Sequence, residues 1–376
     1  MHIRSNVSLV IEAQHRVKMA SELASELSQL KVVDTNATPP VPIHQHHLQA
    51  PLGPLTQLDC FSTNEQNEAV EDDSQLRFLV LPPHPKAPPF PWDLSKGLQD
   101  WGDPSHKVKA PHFFDWLLNH GLPEMDFTCK RSVLVTIAGT PYRPQGSWTI
   151  AIVRLRDVFF LAHAQERHDW DLEEPEEKAR TYWGLKVKDY FAMDKNGEVE
   201  VEAAVNRNRG FHRLLQCSLG QHKLLLGARM DLFDPQQRQF LITKLQKVAK
   251  HPGQEKNFFR IKALAWWLKA KLAGAERVLT GVRDDDGFVH SIQDWSLEQL
   301  QSGGGKDVHW VGQRCLDFAN AILSLISNTV KENDPHQVWL LEFEKGSRVV
   351  EAPRRLTGKK NEKFAFLPKN FVQHFN

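Results

Sequence analysis

The chain is poor in cysteine. Its 376 residues hold four, at Cys60, Cys129, Cys217 and Cys315. They form no CxxC pair and keep no regular spacing, which argues against a disulfide framework and against a structural zinc site. Long hydrophobic runs are missing too. None approaches the roughly 20 residues of a membrane span, and the apolar stretch after Arg4 is broken by Glu12, so neither a membrane anchor nor a signal peptide is expected. An excess of one charge is also missing: 47 Lys and Arg stand against 46 Asp and Glu, a net of +1. No global cationic bias announces nucleic acid. No phosphate-binding loop, dinucleotide fingerprint or nucleophile elbow occurs, and Gly303-Gly304-Gly305 lacks the spacing and the preceding strand to act as one. What is present is 41% hydrophobic and 25% charged. That is globular composition, enough for one large or two small domains in a reducing compartment, cytosol or nucleus.

The charge is unevenly spread. Residues 1–75 carry a net of −6 and residues 76–376 a net of +7. Met19, Leu23, Leu27 and Leu30 recur at helical spacing, so residues 1–33 are expected to carry an amphipathic helix, either an appendage on the body or a docking helix for a partner. Residues 34–75 hold Thr, Pro, Gln, Asn and the run Glu71-Asp72-Asp73, with few large apolar residues. They are expected to be a flexible acidic linker, and His44, His46 and His47 inside it a solvated loop rather than a metal site. Order is expected from 76 to 376. Runs at 150–155 and 158–161 suggest a hairpin turning at Arg156-Asp157, and Pro175 opens a helix to Phe191. Strands follow at 224–232 and 239–245, then a helix over 258–272 burying Trp266 and Trp267. Strands at 277–282 and 288–291 flank the turn Asp284-Asp285-Asp286-Gly287, before a helix from Gly312 to Val330 and strands at 337–343 and 348–351. The expected fold class is mixed α+β. Most of the 11 tryptophans sit in apolar runs and suit core packing better than base stacking.

The informative stretch is 224–245. Arg229 and Asp231 share a strand face, and so do Ile242 and Lys244 on the next strand. Metal-dependent nucleases often place an acid on one strand and Glu-x-Lys on its neighbour, where two carboxylates hold Mg²⁺ and the lysine positions the attacking water. Here the acid and the lysine are present, and Ile242 stands where the second carboxylate would be. Residues 76–376 resemble the DXO-type decapping exonuclease family. The resemblance rests on Asp126-Phe127 with Arg131, Thr140-Pro141-Tyr142, Tyr182-Trp183-Gly184 and Leu224-Leu225-Leu226-Gly227 before Asp231. It continues through Phe259-Arg260, Lys262, Trp266-Trp267, Gly287-Phe288-Val289, Asp334-Pro335 and Phe364-Ala365-Phe366-Leu367-Pro368.

That resemblance implies a decapping-exonuclease-like fold of two packed mixed sheets flanked by helices. It also assigns the family's catalytic positions, and most of them have changed. Arg131 fits the first motif. Lys188 stands at the second motif's glutamate, Arg229-Met230-Asp231 at Glu-x-Asp, Ile242-Thr243-Lys244 at Glu-x-Lys, and Lys269 at a glutamine. The family's Mg²⁺ or Mn²⁺ site is therefore expected to be lost, so no cofactor and no catalysis are expected. Arg131, Lys188, Arg229, Asp231, Lys244 and Lys269 are expected to line a vestigial cleft that binds RNA, its cations neutralising phosphates directly. The alternatives are an active enzyme whose metal moved to acids such as Asp189 or Asp234, and a protein-interaction scaffold that touches no RNA. Resemblance to a catalytically degenerate branch further implies a nuclear protein that shields RNA 5′ ends. It implies partners in a chromatin-bound complex that silences or transcribes germline small-RNA source loci, and no membrane.

Overall fold

Alternation and turn chemistry set the sheets. The computed structural model describes residues 38–44, 49–102, 112–143, 146–164, 174–305 and 310–376. The expected helix within 1–33 lies outside these residues, as do His46 and His47. Among the described residues eleven longer strands matter for the site: β1 (Thr56–Thr63), β2 (Phe127–Lys130), β3 (Trp148–Leu155), β4 (Val158–His163), β5 (Gly210–Leu219), β6 (His222–Met230), β7 (Leu232–Asp234), β8 (Gln239–Lys247), β9 (Arg277–Arg283), β10 (Phe288–Ser296) and β11 (Trp339–Phe343). The helices that position it are α1 (Phe113–His120), α2 (Arg131–Gly139), α3 (Pro175–Tyr190), α4 (Leu264–Lys271) and α5 (Gly312–Thr329).

The larger sheet has nine strands in the order Arg354–Arg355, β11, β3, β4, β2, β6, β5, β1, Ala69–Val70. The smaller has seven, in the order Trp92–Asp93, β10, β9, β8, β7, Phe78–Leu79, Ala192–Met193. Both are mixed: β2 lies parallel to β4 and to β6, and β8 parallel to β9, while β5–β6 and β9–β10 are antiparallel. The mixed α+β architecture expected from sequence is the one observed. The β3–β4 hairpin turns at Arg156 and Asp157 with φ of 49° and 65°, the paired left-handed residues that suit the twist of a tight hairpin.

The main core lies between the larger sheet and α2, α4 and α5. Cys315, Ala319, Ile322 and Ile326 recur along one face of α5 and are fully buried. Trp266 and Trp267 belong to the same core, as their apolar surroundings in sequence suggested. The helix expected over 258–272 begins earlier, at Pro252–Asn257, and passes through a π-helical segment, Phe258–Ala263, before α4. The wide turn buries both Phe258 and Phe259 and leaves Arg260 and Lys262 exposed on the outer side. β8 and β10 run on past their expected ends to Lys247 and Ser296 because β9 supplies partners along the whole length. All four cysteines are free thiols, and burial pushes Cys129, Cys217 and Cys315 up to about 12. No helix among the described residues is long and apolar enough to cross a membrane.

The expectation of a linker over 34–75 is corrected for its described residues, 38–44 and 49–75. Residues Pro40 to Asn376 form one compact unit, and β1 pairs antiparallel with β5 from Thr63↔Gly210 to Thr56↔Gln216. Phe61, Ser62 and Thr63 are buried. The segment has few large side chains because much of its cohesion is main-chain hydrogen bonding to β5, which composition does not reveal. Removing everything before residue 76 should therefore strip a paired strand and expose Phe211 and Leu214. We expect such a chain to melt at a clearly lower temperature than one beginning at residue 40; equal melting temperatures would show the strand to be dispensable.

Candidate functional site

One residue joins a strand of the larger sheet to a strand of the smaller. β6 of the larger sheet ends at Met230 and β7 of the smaller begins at Leu232, so Asp231 is the joint. Its carboxylate is almost enclosed and accepts from Lys188 Nζ at 2.6 Å and from the Thr243 amide at 2.9 Å, one bond on each oxygen. Lys188 comes from the last turn of α3, where a cation suits the helix C-terminus. Burial pushes the Asp231 carboxyl up, but Lys188, Lys244 and the Thr243 amide together hold it well below the usual carboxylate range.

Lys244 follows Thr243 on β8 and donates to the Thr243 carbonyl at 2.8 Å. Burial pulls its ammonium down to about 7, and Lys188, Lys269 and Arg131 add to that against the opposing pull of Asp231. Arg131 opens α2 and donates to the Lys269 carbonyl on α4 at 3.1 Å. Burial, then Arg131 and Arg143, lower the Lys269 ammonium as well. Arg229, next to last in β6, turns aside, donating to the carbonyls of Arg207 (2.8 Å) and Arg209. Gly210 makes room for it, since a Cβ there would lie 2.5 Å from Arg229 Nε. The six residues singled out from sequence are thus gathered at the sheet junction, with Arg229 on its rim. Ile242 is 2% exposed and packed in the main core, where it can ligate nothing.

Sequence reasoning missed the cations that surround this cluster. A cavity of about 340 Å³ beside Lys188 and Lys244 is also lined by Arg180, Lys247, Lys262 and Arg283, and by no carboxylate among the described residues. Arg77, Arg207 and Arg209 line a smaller one of about 80 Å³ next to Asp231, together with Asp189 and Glu200. The spacing of Arg207 and Arg209 could have been noticed, but nothing in sequence tied them to Arg229.

Asp189 and Asp234, the acids nearest in sequence to the motifs, are both engaged. Asp189 is bonded to Arg77 at 2.7 Å and lies 3.5 Å from the fully buried Lys186 ammonium. Asp234 pairs with Arg277 at 3.1 Å. Among the described residues the donor set at the junction does not fit a divalent cation: Asp231, both of whose oxygens already accept, stands among Arg131, Lys188, Arg229, Lys244 and Lys269, and the neighbouring carboxylates Asp189 and Glu200 are paired with Arg77 and Arg209.

The sequence matches the family described as RAI1 like PD-(D/E)XK nuclease over residues 55–372. The chain belongs to this family. It is 29% identical over 341 residues to the Bos taurus decapping and exoribonuclease protein, covering 85% of this chain and 84% of that protein. It is 24% identical to the Caenorhabditis elegans decapping nuclease dom-3, covering 78% of each. The fold of the family's solved members is shared. Candida albicans Rai1 in complex with pU5 and Mn²⁺ superposes with a TM-score of 0.73 over 90% of this chain and 99% of that one, at 14% identity. S. pombe Rai1 in complex with 3′-FADP gives 0.68 over 85% and 99%, at 20% identity.

Two outcomes are expected. Lys188→Met leaves Asp231 enclosed without its ion partner and should cost up to about 3 kcal/mol in a denaturant titration; a loss below ~0.5 kcal/mol would show that the pair contributes little. The second follows from Lys244. Its folded-state value of about 7 lies below the roughly 10.4 of an unfolded lysine, so between these the unfolded chain binds more protons and stability rises with pH. Lys244→Met should flatten that rise in urea melts compared at about pH 7 and about pH 9.5; an unchanged slope would mean that Lys244 titrates normally.

Proposed function

We propose that this chain is a non-catalytic member of the RAI1-like family that binds and shields RNA 5′ ends. The observation that carries this reading is the state of Asp231. This acid at the sheet junction is held by Lys188 and the Thr243 amide, and Arg131, Arg229, Lys244 and Lys269 surround it. Metal-dependent hydrolysis of a phosphodiester needs oxygen ligands that hold the ion, charge stabilisation and an activated water, and each of the last two is worth several kcal/mol. Cations at the same place can instead neutralise the phosphates themselves, so the cleft keeps an affinity for RNA without the chemistry. The RNA carried by Candida albicans Rai1 supports an RNA ligand for the fold. A displaced metal site is less well supported, because Asp189 and Asp234 are both paired with cations.

The cellular reading rests on the resemblance to the catalytically silent fly germline protein Cutoff. On that reading the chain is nuclear and acts with chromatin-associated partners on uncapped transcripts from piRNA source loci. In this role the protein protects nascent 5′ ends from decay and termination, and its partners bring it there.

The deciding experiment titrates the purified full chain against a short 5′-monophosphorylated RNA, with and without Mg²⁺ or Mn²⁺, following binding and product together. Binding that needs no metal and leaves the RNA intact is the expected result. The double variant Lys188→Glu, Arg229→Glu should weaken that binding at least about tenfold, with its folding checked by circular dichroism. Metal-dependent cleavage would restore the enzyme, and the absence of both binding and cleavage would leave a scaffold.

A further inference from the structure

A strand edge left open is a template on which another chain can pair. The outermost strands of both large sheets are two residues long: Arg354–Arg355 and Ala69–Val70 on one, Trp92–Asp93 and Ala192–Met193 on the other. Edges so short offer little to a partner. β10 is different. It pairs with β9 from Val289 to Ser296, but on its outer side Trp92–Asp93 covers only Phe288 and Val289. Among the described residues no other strand lies beside 290–296.

The direction of the open groups follows from the register. The Val248 amide donates to the Arg283 carbonyl at 2.8 Å, so the main-chain groups of Arg283 face β8. Facing alternates along a strand, so Val278, Thr280 and Val282 bond towards β10, and their partners Trp295, Gln293 and Ser291 bond back. Ile292 and Asp294 therefore turn both N–H and C=O away from β9. The Ser296 amide faces the same way and donates to the Gln299 side-chain oxygen at 2.8 Å, which ends the open run. Asp294 is a charge that would guard this edge, but the Arg277 guanidinium neutralises it, with Nε 3.1 Å from each oxygen.

We propose that the open edge of β10 pairs antiparallel with the same edge of a second copy of this chain, about a two-fold axis at Ile292. A two-fold contact uses one patch on both copies, so an edge that matches its own reverse is enough. The register centred on Ile292 sets that residue opposite itself and His290 opposite Asp294 of the partner subunit. Both side chains reach solvent, at 57% and 42% exposure. A histidine thus faces a carboxylate on either side of the axis, a pairing that favours this alignment. The register centred on Gln293 would instead set the Asp294 carboxylate against Ile292 and would need the Ser296 amide, which Gln299 already holds. Pairing joins two seven-stranded sheets into one. Confined to a few residues, it makes a reversible dimer, not a permanent one. It does not rest on the RNA-binding reading.

Sedimentation of the purified full chain over a concentration series tests it. The mass should rise from one chain towards two as the concentration increases to about 100 µM, the range of a weak contact. Ile292→Pro removes an outward N–H and leaves the bonds to β9 in place, which an edge strand tolerates. This variant should stay at the mass of one chain. Should it fail to fold, hydrogen exchange read at single residues in the unaltered protein decides. The amides of Ile292 and Asp294 should exchange at least about tenfold more slowly in concentrated than in dilute solution, and that of Gln293, already bonded to β9, should not change. A single-chain mass at every concentration would overturn the proposal and leave the edge to a strand of another protein. A dimer that Ile292→Pro does not weaken, or in which the two amides exchange as before, would overturn it as well.

Discussion

The ion pair between Lys188 and Asp231 closes the junction on which the site depends. Asp231 is the one residue between a strand of the nine-stranded sheet and a strand of the seven-stranded sheet. Its two oxygens reach α3 through Lys188 and β8 through the Thr243 amide. One carboxylate therefore ties together a helix and two sheets. An enclosed acid is costly unless it is paired and hydrogen-bonded, and here both conditions are met.

The same bond sets the electrostatics of the cleft. With Asp231 committed to Lys188, little negative charge is left to offset Lys244, Lys269 and Arg131. These cations repel one another, which is why burial and mutual repulsion lower both Lys244 and Lys269. A site with surplus positive charge and a lysine poised near neutrality gains by taking up an anion. The anion replaces mutual repulsion with attraction, and it does so in partly enclosed surroundings where charge interactions are screened less than in water. A divalent cation would meet the opposite balance.

The neighbouring cavities divide the chemistry between them. On one side of Lys188 stands a wall of Lys and Arg with no carboxylate among the described residues; farther along β5 and β6 stand the rings of Phe61, His212 and Phe113. The sheet accounts for this arrangement. Arg229 and Gly227 are two apart on β6 and so share a face, and His212 is opposite Arg229 on β5. A single face of the larger sheet thus carries an aromatic surface and the start of the cationic one, with Gly227 and Gly210 keeping the face low enough for Phe113 and Arg229 to lie across it.

Much of this was legible in the residues. Alternation and turn chemistry marked the β3–β4 hairpin, apolar periodicity marked α5, and the order of short motifs from Asp126 to Pro368 marked the family. The six candidate residues were chosen from those motifs, because position in a family pattern is a property of sequence. Other features were decided only by tertiary structure. Thr56–Thr63 looked like linker, since main-chain pairing with β5 leaves no compositional trace. Arg207, Arg209 and Arg283, and the ring pair Phe61 and His212, lie far apart in sequence, and only the fold brings them into neighbouring cavities. The chain by itself determined which residue types stand at the motif positions. Strand register and the placing of Asp231 at a one-residue joint decided which of them meet, because such contacts depend on long-range pairing that no local pattern encodes.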